Sequence, residues 1–75
     1  MTDDRIRAEL QRLAESRSGD ATFCPSEAAR ALSDDWRPLM ADVRRVAAGM
    51  GLRATQGGVE VDAMTAIGPI RLARR

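Results

Sequence analysis

The 75-residue sequence predicts an α+β fold, mainly α, in which three helices precede a small antiparallel β-hairpin. Three observations carry this. Apolar residues recur at helical spacing from Ile6 to Ala14 and again from Trp36 to Met50; Pro25 opens a shorter, alanine-rich stretch; and Gly57-Gly58 separates two runs in which apolar and polar residues alternate. The length allows a single domain over residues 1–75, with no room for a second core. A chain of this size buries only about 60% of its unfolded surface. Thirteen of its apolar residues are alanine, so large side chains are few, and most of those between Ile6 and Leu72 are expected inside.

The first helix starts at Thr2 or Asp3, either of which can cap it, with Asp3 and Asp4 beside its positive N-terminal end. Ile6, Leu10, Leu13 and Ala14 form its apolar stripe, and it ends near Arg17. SRSGDAT is turn chemistry, with Gly19 and Asp20 as breakers, and a very short extended piece follows at Ala21–Phe23. The second helix begins at Pro25, where a missing N–H costs nothing, and Glu27 falls in its first turn. It turns Ala28, Ala29 and Leu32 inward and stops at SDD. The third helix runs from about Trp36 to Met50, and Pro38 is tolerable only because it lies in the first turn. Trp36, Leu39, Val43, Val46, Ala47 and Met50 share its inner face. Arg37, Ala41, Arg44 and Ala48 lie opposite, with Arg45 at the flank. Gly51 is the expected left-handed stop, allowing Leu52 to fold back on the last turn.

LRATQGGVEV then reads as a hairpin with Gly57-Gly58 as its two-residue turn. That register sets Gln56 opposite Val59, Thr55 opposite Glu60, Ala54 opposite Val61 and Arg53 opposite Asp62. Leu52, Ala54, Val59 and Val61 then share one face, and Arg53 and Asp62 form an opposite-charge pair on the other. IGPIRL ends the chain in a further extended piece, with Ile70 and Leu72 facing one way and Arg71 the other.

Composition narrows the chemistry. A single cysteine excludes an intrachain disulfide, and without histidine a zinc site lacks its usual ligands, so neither a metal nor another cofactor is expected. Cys24 has no histidine to take its proton, and is read as a small residue at the edge of the core. Ser26, Glu27, Asp34 and Asp35 sit where helix starts favour them, and Gly57-Gly58 lacks the strand, glycine loop and helix of a phosphate cradle. No set of residues builds an enzyme site. MTDDRIRAEL resembles neither a leader nor an anchor, no stretch approaches membrane-spanning length, and the cytoplasm is the expected location.

Charge is the more informative signal. Residues 1–35 hold five arginines against eight acids, a net −3, and residues 36–75 hold seven against three, a net +4. Every basic side chain is arginine, which suits bidentate contact with phosphate or carboxylate and also fits codon bias. Helix, short strand, helix, helix, hairpin is the order of a winged helix-turn-helix domain, in which the third helix enters the major groove. Small alanines at 41 and 48 between Arg37, Arg44 and Arg45 would let that helix approach base edges closely. Asp42 near the same surface counts against it.

CPSEAARAL, WRPLMADVRRVAA, TQGG followed by VD, and GPIRL together resemble a bacterial family of small domains of unknown function, over nearly the whole stretch from Ile6 to Leu72. The resemblance implies a winged-helix-like fold. It implies no activity and no site residues.

The leading expectation is a cytoplasmic protein that binds double-stranded DNA, with Arg37, Arg44 and Arg45 on the recognition helix and Arg53, Arg71, Arg74 and Arg75 assisting at the backbone. The alternative is an interaction module of the same fold, whose helix-three face or terminal GPIRL strand docks on another protein or on a second copy of the chain.

Overall fold

A computed structural model describes residues 1–17 and 21–75. It has three α-helices and a three-stranded antiparallel sheet, an α+β, winged-helix-like arrangement. Helix α1 is Asp3–Ser16 and α2 is Pro25–Leu32; a 3-10 turn at Arg37–Leu39 leads into α3, Met40–Gly49. Strands β1 (Arg53–Gln56), β2 (Val59–Val61) and β3 (Arg71–Ala73) form the sheet in the order β2-β1-β3. The turn expected at Gly19 and Asp20 lies outside the described residues.

The local rules account for most boundaries. Thr2 caps α1, its hydroxyl accepting the Arg5 N–H at 3.4 Å. Cys24 is the N-cap of α2, and the Glu27 carboxylate reaches back to the Cys24 N–H at 2.9 Å, as in a capping box. Helix α3 ends as the Gly51 reading requires. Gly51 has φ +74°, its N–H meets the Ala48 carbonyl at 3.1 Å and the Leu52 N–H meets Ala47 at 3.2 Å, the paired bonds of a Schellman motif.

The third helix differs from expectation at its start. The Leu39 N–H bonds the Trp36 carbonyl at 3.0 Å, so the first turn is wound as 3-10 and the α-helix begins at Met40. Pro38 supplies no N–H for an α-type bond back to Asp34, and the tighter turn accommodates that loss.

The hairpin register is the expected one over Ala54–Val61, Thr55–Glu60 and Gln56–Val59, with both turn glycines at positive φ. It ends one pair early. Asp62 leaves the ladder, its carboxylate accepting the Met64 N–H at 2.8 Å and its carbonyl the Ala66 N–H at 2.9 Å. Arg53 therefore does not pair with Asp62; it sits 3.8 Å from Glu60 and opposes Ala73 instead. Val59, expected on the buried face, is 66% exposed, at the turn end of the edge strand β2.

The terminal strand is built into the sheet. β3 pairs with β1, and on its other side Leu72 exchanges backbone hydrogen bonds of 2.8 and 2.7 Å with Phe23. An open edge on GPIRL is thus not found at Leu72. Ile70 and Leu72 point inward as expected, joining Ile6, Leu10, Phe23, Val43 and Val46 in one core between the helices and the inner sheet face. Two large apolar residues expected inside are not: Met64 is 59% and Ile67 92% exposed, on the loop between β2 and β3.

Candidate nucleic-acid interface

The turn between α2 and α3 brings two cations to one aromatic ring. The guanidinium carbons of Arg30, in the last turn of α2, and Arg37 lie over the Trp36 indole at 4.5 and 4.6 Å from its centroid. Trp36 packs its apolar body on the core while its ring face attracts the cations. Arg37 is expected at this surface from its helical position. Arg30 is not, and the only local signal for it is its place near the negative end of a helix.

Further along α3, Ala41 is exposed, as a close approach to bases requires. The two arginines beside it serve the protein's own structure. Arg45 grips the Asp3 carboxylate with two bonds, 2.9 and 2.8 Å, and reaches Asp42 at 3.4 Å, tying α3 to the start of α1. The bond from Arg45 holds the Asp3 carboxyl below its ordinary range and raises the Arg45 pKa in turn. Arg44 donates to the carbonyls of Ala66 at 2.7 Å and Gly68 at 2.6 Å, drawing the β2–β3 loop onto the helix. Gln56 holds the same loop from β1 through the carbonyls of Ile67 and Pro69, at 2.6 and 3.2 Å.

The remaining expected arginines gather at the sheet. Because Arg53 opposes Ala73 and Thr55 opposes both Arg71 and Glu60, these side chains share the outer face, away from the core. Arg71 is held by Thr22, through its hydroxyl and its carbonyl, each at 3.0 Å. Arg75 bonds the Gly51 carbonyl at 3.0 Å and the Glu60 carboxylate at 2.6 Å, and this pairing lowers the Glu60 pKa and raises that of Arg75. Arg74 is exposed at the end of β3.

Charge compensation is uneven. On α1, Asp4 pairs with Arg7 and Glu9 with Arg12, Asp3 is taken by Arg45, and across the α1–α2 junction Glu27 holds Arg17 at 2.5 Å. Among the described residues Arg5 on α1 and Arg30, Arg37, Arg44, Arg71 and Arg74 elsewhere have no carboxylate oxygen within 4.0 Å. Asp34 and Asp35, exposed in the α2–α3 link, are the acids nearest in sequence to the Trp36 cluster.

Cys24, at the start of α2, receives a hydrogen bond from the Ser26 hydroxyl at 3.0 Å and is half-buried. Among the described residues no group of three or more acidic or cysteine side chains converges as a metal site, and no helix is long and apolar enough to cross a membrane. The model of a family described as a protein of unknown function (DUF3253) matches residues 3–75. No curated protein matches the chain.

Proposed function

The chain belongs to the DUF3253 family, whose description carries no activity, and from its own surface we propose that it is a winged-helix protein of the bacterial cytoplasm that binds double-stranded DNA. The observation that supports this is the uneven charge: on α1 Asp3, Asp4 and Glu9 are paired, and of the guanidiniums without a carboxylate partner among the described residues one, Arg5, lies on α1, while Arg30, Arg37, Arg44, Arg71 and Arg74 lie on the α2–α3 unit and the sheet. In this reading Ala41 faces the groove, Arg30 and Arg37 contact the backbone beside it, and Arg71 and Arg74 meet phosphates at the sheet. Arg44 and Arg45 act chiefly by fixing the helix and loop, and Arg53 and Arg75 contribute field more than direct contacts because both lie near Glu60.

A salt series with a fluorescent duplex tests the proposal. Four phosphate contacts correspond to a log–log slope of about −3 to −4. Absence of binding at low salt would sink it and favour the second reading, a protein partner docking on the exposed Val59, Met64 and Ile67 side chains, for which a pull-down would be the next step.

A further inference from the structure

We infer that the outer face of the sheet carries a binding site for a phosphate group. A groove of about 290 Å³ opens there, lined by Thr22, Arg53, Thr55, Gly58, Ala73 and Arg74. Small residues at 58 and 73 leave the space, and Ala73, only 5% exposed, lies beneath the arginines.

The donors suit an oxyanion. Arg71 stands on the same face, oriented in advance by Thr22 through Nε and Nη2, which leaves Nη1 available. The Thr22 hydroxyl accepts from Arg71, so its own proton remains to be donated, and Thr55 adds a second hydroxyl. Arg74 supplies a guanidinium from the end of the β1–β3 ladder opposite to Arg71, and Arg53, paired with Ala73 at that same end, adds positive charge. Among the described residues one carboxylate stands on this face: Glu60 is engaged by Arg75 at 2.6 Å and lies 3.8 Å from Arg53, so Arg53, Arg71, Arg74 and Arg75 share one described acid. Guanidinium forks and hydroxyls matched to several oxygens select phosphate over a simple halide. The space accommodates the phosphate and part of whatever bears it, either a phosphodiester of a duplex or a free phosphate monoester. The site rests on the sheet's own geometry, and only the duplex as its source depends on the DNA-binding reading.

The test is a titration of the full chain with inorganic phosphate at constant ionic strength against chloride, followed through backbone amide NMR shifts, then repeated with phenyl phosphate and with a short duplex. Saturable shifts centred on Thr22, Thr55, Arg71 and Arg74 are expected. Arg74→Ala should weaken phosphate binding about tenfold, the loss of one charge-assisted hydrogen bond, while Arg5→Ala, removing the same charge from α1, leaves it unchanged. Duplex that competes with phosphate identifies the phosphodiester as the source. Phosphate and phenyl phosphate binding without duplex binding keeps the site, assigns it to monoesters and removes the DNA reading. Non-saturating shifts, or equal effects of Arg74→Ala and Arg5→Ala, overturn the inference.

Discussion

Arg44 on α3 donates to the carbonyl of Gly68, 24 residues away, at 2.6 Å, and its other terminal nitrogen holds the Ala66 carbonyl. A side chain placed by sequence on the DNA-reading face is thus the tie that seats the β2–β3 loop on the helix. Replacing it leaves two carbonyls to water and removes the loop's tie to α3, while Gln56 still holds it from β1. Arg44→Ala should destabilise the fold by about 1–3 kcal/mol, the range for hydrogen bonds to a charged group, read as a lower midpoint in denaturant. A variant as stable as the parent would show that the tie contributes nothing in solution.

Arg37 differs in kind, because its guanidinium stacks on Trp36 and meets no carboxylate among the described residues. Arg37→Ala is expected to weaken duplex binding at every sequence and to lower the salt slope by about one unit. Asp34→Asn with Asp35→Asn, which removes two exposed acids beside the same turn, should tighten binding. Fluorescence anisotropy across salt concentrations measures both, and undiminished binding by Arg37→Ala or weaker binding by the double Asn variant would contradict this placement of the interface.

Acid should loosen the contact between α1 and α3. The Asp3 carboxyl is held below its ordinary value of 3.8 by Arg45, and Glu60 below 4.5 by Arg75. A carboxylate whose folded pKa is depressed adds stability that is complete above its ordinary value and is lost as pH falls through the depressed one. The melting temperature should therefore hold at neutral pH and decline from about pH 5 downward. Arg45→Ala should lower the neutral-pH value and flatten that decline, since Asp3 then regains an ordinary titration. Identical slopes for parent and variant would exclude the Asp3–Arg45 pair as a source.

Two neighbouring glycines should respond with opposite signs. Gly51 has φ +74° and open space where a β-carbon would stand, so Gly51→Ala suffers only backbone strain, about 1–2 kcal/mol. Gly49 is the last residue of α3, also with open space, and Gly49→Ala should gain up to about 1 kcal/mol from helix propensity. Each kcal/mol corresponds to about 4–8 °C in a domain this small, so thermal melts by circular dichroism separate the two. A shift in the same direction for both would refute the capping account.

The first two helices, the body of the third, the Thr2 cap, the Gly51 stop, the hairpin turn and three pairs of its register are legible in the sequence. Those features depend on periodicity, φ preferences and hydrogen bonds spanning a few residues, as at Thr2, Glu27 and Gly57-Gly58. Packing in three dimensions settles the rest: β3 lies between β1 and Phe23, Val59, Met64 and Ile67 stay exposed, and Arg30, Arg44, Arg45 and Arg71 find their own partners. Arg45 meets Asp3 across 42 residues, Arg71 meets Thr22 across 49, and Arg30 joins Arg37 at Trp36 through the packing of two helices. An arginine side chain is long enough to reach many partners from one helical position, so spacing along the chain assigns it a face, while the packing of distant elements chooses its acceptor.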